Sequence, residues 1–320
     1  MEWALNLLLI GFGIVLLYFG GEALVNNAVV LARSWGVSTM VVGLTVVAFG
    51  TSSPELAASL AAALSGSPAI AIGNVVGSNI LNILFILGLA ALIQPIRAQA
   101  LFIKREVPIM IGATLLLFPL LYFDQQISRW EGLLMASLLG LYIWFLYQSG
   151  SKESPEVQGE FDQEYGQRPK ANWKTYAGVL LGLALLGAGA RVLTMGAVAL
   201  AQALGVGELV IGLTIVALGT SLPEVAASIT AALRREPDIA LGNIVGSNIF
   251  NILGILGLTA LVTPVGQPWA SVARDMWVML GASLLLWPFL ATGLRLGRRE
   301  GGVFLGLYGL YVGLLVSAPA

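Results

Sequence analysis

Long apolar runs alternate with short polar breaks along this chain. A hydrocarbon core about 30 Å thick takes about 20 helical residues. Ten stretches have a suitable length: 4 to 31, 40 to 64, 69 to 93, 107 to 123, 130 to 147, 175 to 201, 208 to 233, 239 to 262, 275 to 292 and 301 to 317. The one extended polar segment, QSGSKESPEVQGEFDQEYGQRPKANWK over 148 to 174, is rich in charge and turn formers and too short for a folded domain. It separates five apolar stretches from five. The pattern predicts an all-α, multi-pass transmembrane protein with a five-helix unit over 1 to 147, a linker over 148 to 174 and a second five-helix unit over 175 to 320. The opening run has neither a basic region ahead of it nor a small-residue cleavage pattern after a short core, so it reads as the first span.

Composition agrees. The 320 residues are 58% hydrophobic and 10% charged, against about 25% charged in an average soluble domain. A net charge of −1 suggests neither a nucleic-acid partner nor a polybasic anchor. Cysteine and histidine are both absent. That removes disulfides, thiolate and imidazole metal ligation, and any mechanism that needs a histidine base. An ion site in this chain has to be built from oxygen.

The two halves repeat each other. A shift of 169 places GLTVVAFGTSSPELAASLAAALSGSPAIAIGNVVGSNILNILFILGL (43 to 89) on GLTIVALGTSLPEVAASITAALRREPDIALGNIVGSNIFNILGILGL (212 to 258), with 33 of 47 positions identical and no gap. The register extends outward to Gly20 on Gly189, 105 to 119 on 274 to 288, and Glu131 on Glu300. Internal repeats of this kind mark secondary transporters whose paired segments meet at a central site. Thirteen of the sixteen Lys and Arg residues fall on one side of the predicted topology, including the linker, so that side is cytoplasmic and both termini face outward. An odd number of spans per unit inverts the second unit relative to the first. The loops after spans two and seven fit this, because SGSP (65 to 68) is neutral while its cytoplasmic image RREP (234 to 237) is basic.

Inside span two, FGTSSPELAAS carries hydroxyls, a proline and a glutamate. Pro54 has no N–H to donate and its ring crowds the carbonyl of Gly50, so the helix should kink or break there. Carbonyls freed in hydrocarbon cost several kcal/mol each unless they are buried against polar partners. Ala48, Thr51 and Glu55 lie at i, i+3 and i+7, so carbonyls, the hydroxyls of Thr51 and Ser52, and the Glu55 carboxylate can share one face. Span seven repeats this with Ala217, Thr220, Ser221, Pro223 and Glu224. Beside each break runs a second element, GNVVGSNILN (73 to 82) or GNIVGSNIFN (242 to 251). There Ser78 and Asn82, or Ser247 and Asn251, stand at i and i+4, and Gly73/Gly77 or Gly242/Gly246 offer close helix contact. These are hard oxygen donors, suited to Na⁺ and Ca²⁺. A charged side chain at mid-bilayer costs about 2.5 to 3.5 kcal/mol, and spans two, three, seven and eight hold no basic residue to neutralise the glutamates. The pattern therefore calls for a cation.

With GTSSPE and GSNILN answered by GTSLPE and GSNIFN, the chain resembles the cation/Ca²⁺ exchanger superfamily, and most of all its compact prokaryotic sodium/calcium exchanger-like branch. The resemblance spans essentially the whole chain. It implies an antiporter in the prokaryotic inner membrane that extrudes Ca²⁺ on Na⁺ entry by alternating access. Its ion ligands would be Glu55, Glu224, Thr51, Ser52, Ser78, Thr220, Ser221 and Ser247, the carbonyls of Ala48 and Ala217, and Asn82 with Asn251. Ca²⁺ and Na⁺ are then substrates. No cofactor and no obligatory protein partner is implied.

Two positions depart from the family pattern. Members that exchange Na⁺ for Ca²⁺ commonly have aspartate at one of the two Asn positions, which leaves Na⁺:Ca²⁺ ratio and K⁺ dependence open here. Ser53 stands where leucine is usual, an effect expected on packing rather than chemistry.

The nearest alternative is a Ca²⁺/H⁺ or other cation/H⁺ antiporter, since glutamates carry protons; against it stand the hydroxyl pairs of GTSxPE. A passive channel is a further alternative, distinguished by flux that does not need a counter-ion. An intramembrane enzyme fits poorly, because Ser52 has no positioned Lys or His base. Among the remaining intramembrane polar residues, Asn74, Asn79, Asn243 and Asn248 read as partners of freed backbone. Glu22 and Arg191 are repeat images with gating or snorkelling roles at opposite mouths, and Asn26 and Asn27 read equally as path lining or packing. Arg105/Glu106 and Arg274/Asp275 read as helix-end pairs worth little.

Overall fold

The computed structural model describes residues 2–150, 170–203 and 217–317. Most of the linker and the start of span seven lie outside the described residues. Helix α1 covers Glu2–Trp35. A bent pair follows, α2 (Thr39–Thr51) and α3 (Ser53–Leu64). Then come α4 (Pro68–Ile93), α5 (Ala100–Asp124) and α6 (Arg129–Gly150). The second half gives α7 (Trp173–Ala203), the short α8 (Ala217–Thr220), α9 (Leu222–Leu233), α10 (Pro237–Val262), α11 (Trp269–Ala291) and α12 (Arg298–Ser317). Among the described residues six helices are long and apolar enough to cross a membrane, and the bent α2–α3 pair makes a seventh. The protein is a predominantly helical, multi-pass membrane protein.

Four two-residue strands were not anticipated. Ile96–Arg97 (β1) pairs antiparallel with Arg295–Leu296 (β4), and Gln126–Ile127 (β2) pairs with Val265–Gly266 (β3). Shifting β1 and β2 by 169 gives β3 and β4, so the two pairs are images of one another. Each stitches a turn of one half to a turn of the other. Two residues per strand carry too little periodicity to be read from sequence.

The core layer is α4 and α10. Their most apolar stretches are 72% and 89% buried inside the protein, against 22% to 44% for the other long helices. Outer faces of α1, α5, α6 and α7 instead expose large apolar side chains such as Leu8, Phe12, Leu115, Leu141 and Leu180, as lipid-facing surfaces do. Helices α1 and α7 run antiparallel along nearly their whole length. Moving from Gly13 to Gly20 to Leu24 on α1, the neighbour on α7 moves from Leu193 to Leu186 to Gly182. A Cβ on Gly13 or Gly182 would come within 2.7 Å or 2.6 Å of the opposite helix, so these two positions accept no side chain at this separation. Gly242 and Gly246 likewise lie against Met40 to Ala48, where a Cβ on Gly246 would stand 2.6 Å from the Leu44 carbonyl oxygen. The image contacts of Gly73 and Gly77 fall on 209 to 217, largely outside the described residues.

One expectation is corrected and two are made specific. Glu22, read as a gating or snorkelling residue, is ion-paired to Arg234 at the end of α9. Sequence separation hid this, since the two residues stand 212 positions apart. Asn27 donates to the Ala23 carbonyl at 2.7 Å and packs on Gly178, which makes it a packing residue. Arg105/Glu106 is no weak interfacial pair. Glu106 is wholly buried, bound by Arg105 and by the Tyr142 hydroxyl at 2.6 Å. In the second half the same triad is looser. Tyr311 donates to Asp275 at 3.3 Å, and the Asp275 side chain is 23% exposed.

That difference sets an expectation for stability. Tyr142→Phe leaves a buried carboxylate short of a donor and should cost about 1 to 3 kcal/mol, whereas Tyr311→Phe, next to a hydrated carboxylate, should cost well under about 1 kcal/mol. Thermal unfolding of the purified protein in detergent measures both; equal losses would mean that the two triads are equally dry.

Candidate functional site

Both breaks form where proline demands them. Helix α2 ends at Thr51, and α3 begins at Ser53 with Pro54 in its first turn and an axis bent by 44°. Ser52 sits at the break with φ −82° and ψ 4°, and its image Ser221 repeats the conformation at φ −91° and ψ 5°. Proline is tolerated in a first turn because its missing N–H would have no helical partner there. Glu55 and Glu224 therefore fall in the first turns of α3 and α9, where the N-terminal end of the helix dipole favours a carboxylate.

Polar side chains fill the space between the breaks. Thr51, Ser52, Glu55, Ser221, Glu224 and Ser247 are each at most 1% exposed, and Ser78 is 5% exposed. The hydroxyl of Ser52 donates to Glu224 at 2.8 Å, and that of Ser221 donates to Glu55 at 2.9 Å. Each glutamate thus takes its hydroxyl donor from the opposite half. Ser52 also reaches Ser247 at 3.0 Å and Ser221 reaches Ser78 at 3.4 Å, which brings the two GSN elements to the same centre. Among the described residues neither glutamate forms an ion pair.

Asn82 and Asn251 are both 1% exposed, inside π-helical segments over Leu81–Leu87 and Phe250–Leu256. Such segments recur at functional sites because the wider turn re-aims side chains. Six buried side-chain polar atoms lack a hydrogen-bond partner among the described residues. Four of them are Glu55 Oε2, Glu224 Oε2, Asn82 Oδ1 and Asn251 Oδ1. Two belong to the glutamates of the centre and two to the asparagines of the adjoining GSN elements.

The remaining expectations sort cleanly. The Thr51 hydroxyl donates to Asn243 Oδ1 at 3.1 Å, and Thr220 lies at the end of α8. The Ala48 carbonyl, expected among the ion ligands, already accepts the Ser52 N–H at 3.0 Å and the Thr51 hydroxyl at 3.4 Å. Ala217 starts α8. Asn74 and Asn243 support the glutamates from behind, donating to the carbonyls of Glu55 at 3.3 Å and Glu224 at 3.4 Å, and to Ser59 and Ser228 at 2.9 Å. Ser59 and Ser228 were missed. The signal was present, because each stands four residues after a glutamate on the same helix face. Ser53 lies outside the cluster and bonds back to the Phe49 carbonyl.

A polytopic membrane protein with a dry, two-carboxylate, oxygen-lined centre at the meeting of two broken helices is what fold and site together define. The chain belongs to the sodium/calcium exchanger protein family, whose model matches residues 5–148 and again 174–317. The two matched stretches are themselves 169 residues apart. CaxA of Alkalimonas amylolytica is 41% identical over 314 residues, covering 96% of this chain and 97% of the relative. Sodium/calcium exchanger MaX1 of Methanosarcina acetivorans is 34% identical over 336 residues, covering 95% and 96%. A solved structure of the sodium-calcium exchanger NCX_Mj, soaked with 10 mM Na⁺ and zero Ca²⁺, superposes with a TM-score of 0.82 at 32% identity, covering 99% of this chain and all of that one.

The crossed serine bonds carry a stability expectation. Ser52→Ala and Ser221→Ala each leave a buried carboxylate oxygen without its donor and should destabilise by about 1 to 3 kcal/mol, while Ser53→Ala should stay within about 0.5 kcal/mol. Thermal unfolding in Na⁺- and Ca²⁺-free detergent solution tests the ranking, and a Ser53 effect as large as the other two would refute it.

Proposed function

We propose that this protein is a Na⁺/Ca²⁺ antiporter of the prokaryotic inner membrane, working by alternating access around the Glu55–Glu224 centre. Its ten membrane helices form two inverted five-helix repeats, residues 1–147 and 175–320, joined by a cytoplasmic linker with both termini outside. The image relation of the β1–β4 and β2–β3 pairs supports this arrangement. So does the 169-residue offset that relates the hydrogen bonds of one half to those of the other.

One observation carries the reading. Two glutamates and two asparagines, each 1% exposed, present four oxygens that no donor among the described residues satisfies. A buried acceptor without a donor costs about 1 to 3 kcal/mol, and more when charged. A cation satisfies all four at once, and the two carboxylates match the charge of one Ca²⁺ or two Na⁺. The same centre can then hold either ion but not both fully, and competition of that kind is the basis of exchange. Hydroxyls of Thr51, Ser52, Ser78, Thr220, Ser221 and Ser247 and the carbonyls of Ala48 and Ala217 supply neutral oxygen around it. Sodium is taken as the coupling ion over the proton on the hydroxyl pairs of GTSSPE and GTSLPE beside the two carboxylates. The names of MaX1 and NCX_Mj agree with that choice.

Proteoliposomes loaded with Na⁺ should take up ⁴⁵Ca²⁺ when the outward Na⁺ gradient is imposed, and uptake should collapse when K⁺ or a pH gradient replaces it. Uptake that ignores Na⁺ but follows the pH gradient would establish the proton-coupled alternative. Glu55→Gln and Glu224→Gln should each reduce Na⁺-driven uptake to about 1% or less while the protein still inserts, a loss equivalent to about 2.7 kcal/mol or more. Wild-type uptake in either variant would remove that glutamate from the centre.

A further inference from the structure

Asn79 and Asn248, which the mechanism above leaves idle, form a brace across the two halves. Asn79 Nδ2 donates to the backbone carbonyl of Asn248 at 3.2 Å, and Asn248 Nδ2 donates to that of Asn79 at 3.4 Å. Both are 1% exposed. Asn82 Nδ2 donates to Asn248 Oδ1 at 2.9 Å, and Asn251 Nδ2 donates to Asn79 Oδ1 at 3.1 Å. Four asparagines, two from each half, thus close into one ring.

The polarity of this ring follows from chemistry alone. A backbone carbonyl can only accept, so the edge of Asn79 that faces the Asn248 carbonyl must be its NH₂ edge. That leaves the oxygen edge of Asn79 facing residue 251. An oxygen there demands a donor, so the NH₂ edge of Asn251 turns toward Asn79 and its Oδ1 turns away from the ring. The same chain of constraint runs from the Asn79 carbonyl through Asn248 to Asn82. Its end point is what the structure shows, since Asn82 Oδ1 and Asn251 Oδ1 are the atoms left without partners.

We propose that Asn79 and Asn248 are positioning residues that present Asn251 and Asn82 to the transported cation oxygen-first. The inference rests on the ion-binding reading of Asn82 and Asn251 given above. A cation binds a carboxamide only through its oxygen, so a free amide would have to be turned and held oxygen-first as the ion binds, an ordering cost that a pre-set orientation removes. Here each amide is locked by an acceptor that belongs to the other half. The residue at 82 or 251 must therefore donate on its outer edge, which asparagine does and an ionised aspartate cannot. In this chain that requirement holds at both positions and makes the centre symmetric, with two carboxylates and two oriented amides. Because each lock crosses between halves, a relative movement of α4 and α10 changes the aim of both amides together.

Double-mutant cycles on Na⁺-driven ⁴⁵Ca²⁺ uptake in proteoliposomes test the brace. Asn248→Ala should raise the Ca²⁺ KM about tenfold, the usual size of a lost orienting partner behind an ion ligand, with the maximal rate kept within twofold. In an Asn82→Ala background the same change should add less than twofold, because its effect passes through Asn82. Asn79→Ala should behave in the same way with Asn251→Ala, and should remain multiplicative with Asn82→Ala. Multiplicative effects within the 248–82 and 79–251 pairs would overturn the proposal, as would a fallen maximal rate at unchanged KM. If neither Asn248→Ala nor Asn79→Ala yields folded protein, as judged by a monodisperse size-exclusion peak, the ring is a scaffold and the positioning role is wrong. An unchanged KM in Asn82→Ala and Asn251→Ala themselves would instead remove those residues from the ion site, a failure of the underlying reading that the cycles separate from a failure of the brace.

Discussion

Two glutamates buried in an apolar protein inside an apolar membrane set the terms for everything around them. Desolvating a carboxylate without compensation costs far more than a fold of ordinary stability can absorb, and no arginine or lysine pairs with either one among the described residues. Compensation comes instead from neutral donors, and its distribution matters. Ser221 serves Glu55 and Ser52 serves Glu224, so neither half satisfies its own carboxylate. The halves are bound to one another by the same groups that make the centre polar. A five-helix unit standing alone would leave its glutamate without a hydroxyl and its Asn82 or Asn251 without an acceptor.

Backbone geometry answers the same constraint. A continuous α-helix satisfies its own carbonyls and N–H groups and has nothing to offer a bound ion. Here the breaks at Ser52 and Ser221 and the π-segments at Leu81–Leu87 and Phe250–Leu256 loosen the regular ladder on four neighbouring elements. Each irregularity lies in protein and not in lipid, as α4 and α10 are the most enclosed of the long helices. The antiparallel α1–α7 pair, close-packed through glycines, lies against the broken helices, with Gly21 beside Thr230 and Gly50 beside Leu183.

Much of this was legible in the sequence, and for a physical reason. A membrane helix has few polar residues, so each one is conspicuous, and a repeat of 33 identities in 47 positions doubles every signal. Glu55, Ser52, Ser78 and Asn82 were named with their images because the proline break and i+4 spacing put them on shared faces; hydrogen bonds link the glutamates and serines across the halves, while Asn82 and Asn251 bond to Asn248 and Asn79. Partners across space were less visible. Glu106 reads as interfacial because Arg105 precedes it, yet its burial depends on Tyr142 from the next helix. Glu22 gives no local hint of Arg234. The roles of Asn79 and Asn248 follow from which edge of an amide faces which carbonyl, and no spacing rule carries that information.

The symmetry is tight where the chemistry is and relaxes with distance from it. Crossed serines, supporting asparagines and π-turns all have images 169 residues away. Toward the ends of the helices the images diverge: Glu106 is sealed while Asp275 is partly hydrated, and Arg234, which holds Glu22, corresponds to the neutral Ser65. In the inverted arrangement proposed above, an ion centre shared equally by the two halves would have no reason of its own to prefer one side of the membrane. Any preference in the resting protein must come from such unmatched contacts. The Glu22–Arg234 pair ties α1 to the end of α9, and its image position offers no charge at residue 65. In the alternating-access reading proposed above, the polar centre would select what is bound and the asymmetric pairs around it would bias which face the unloaded protein keeps closed.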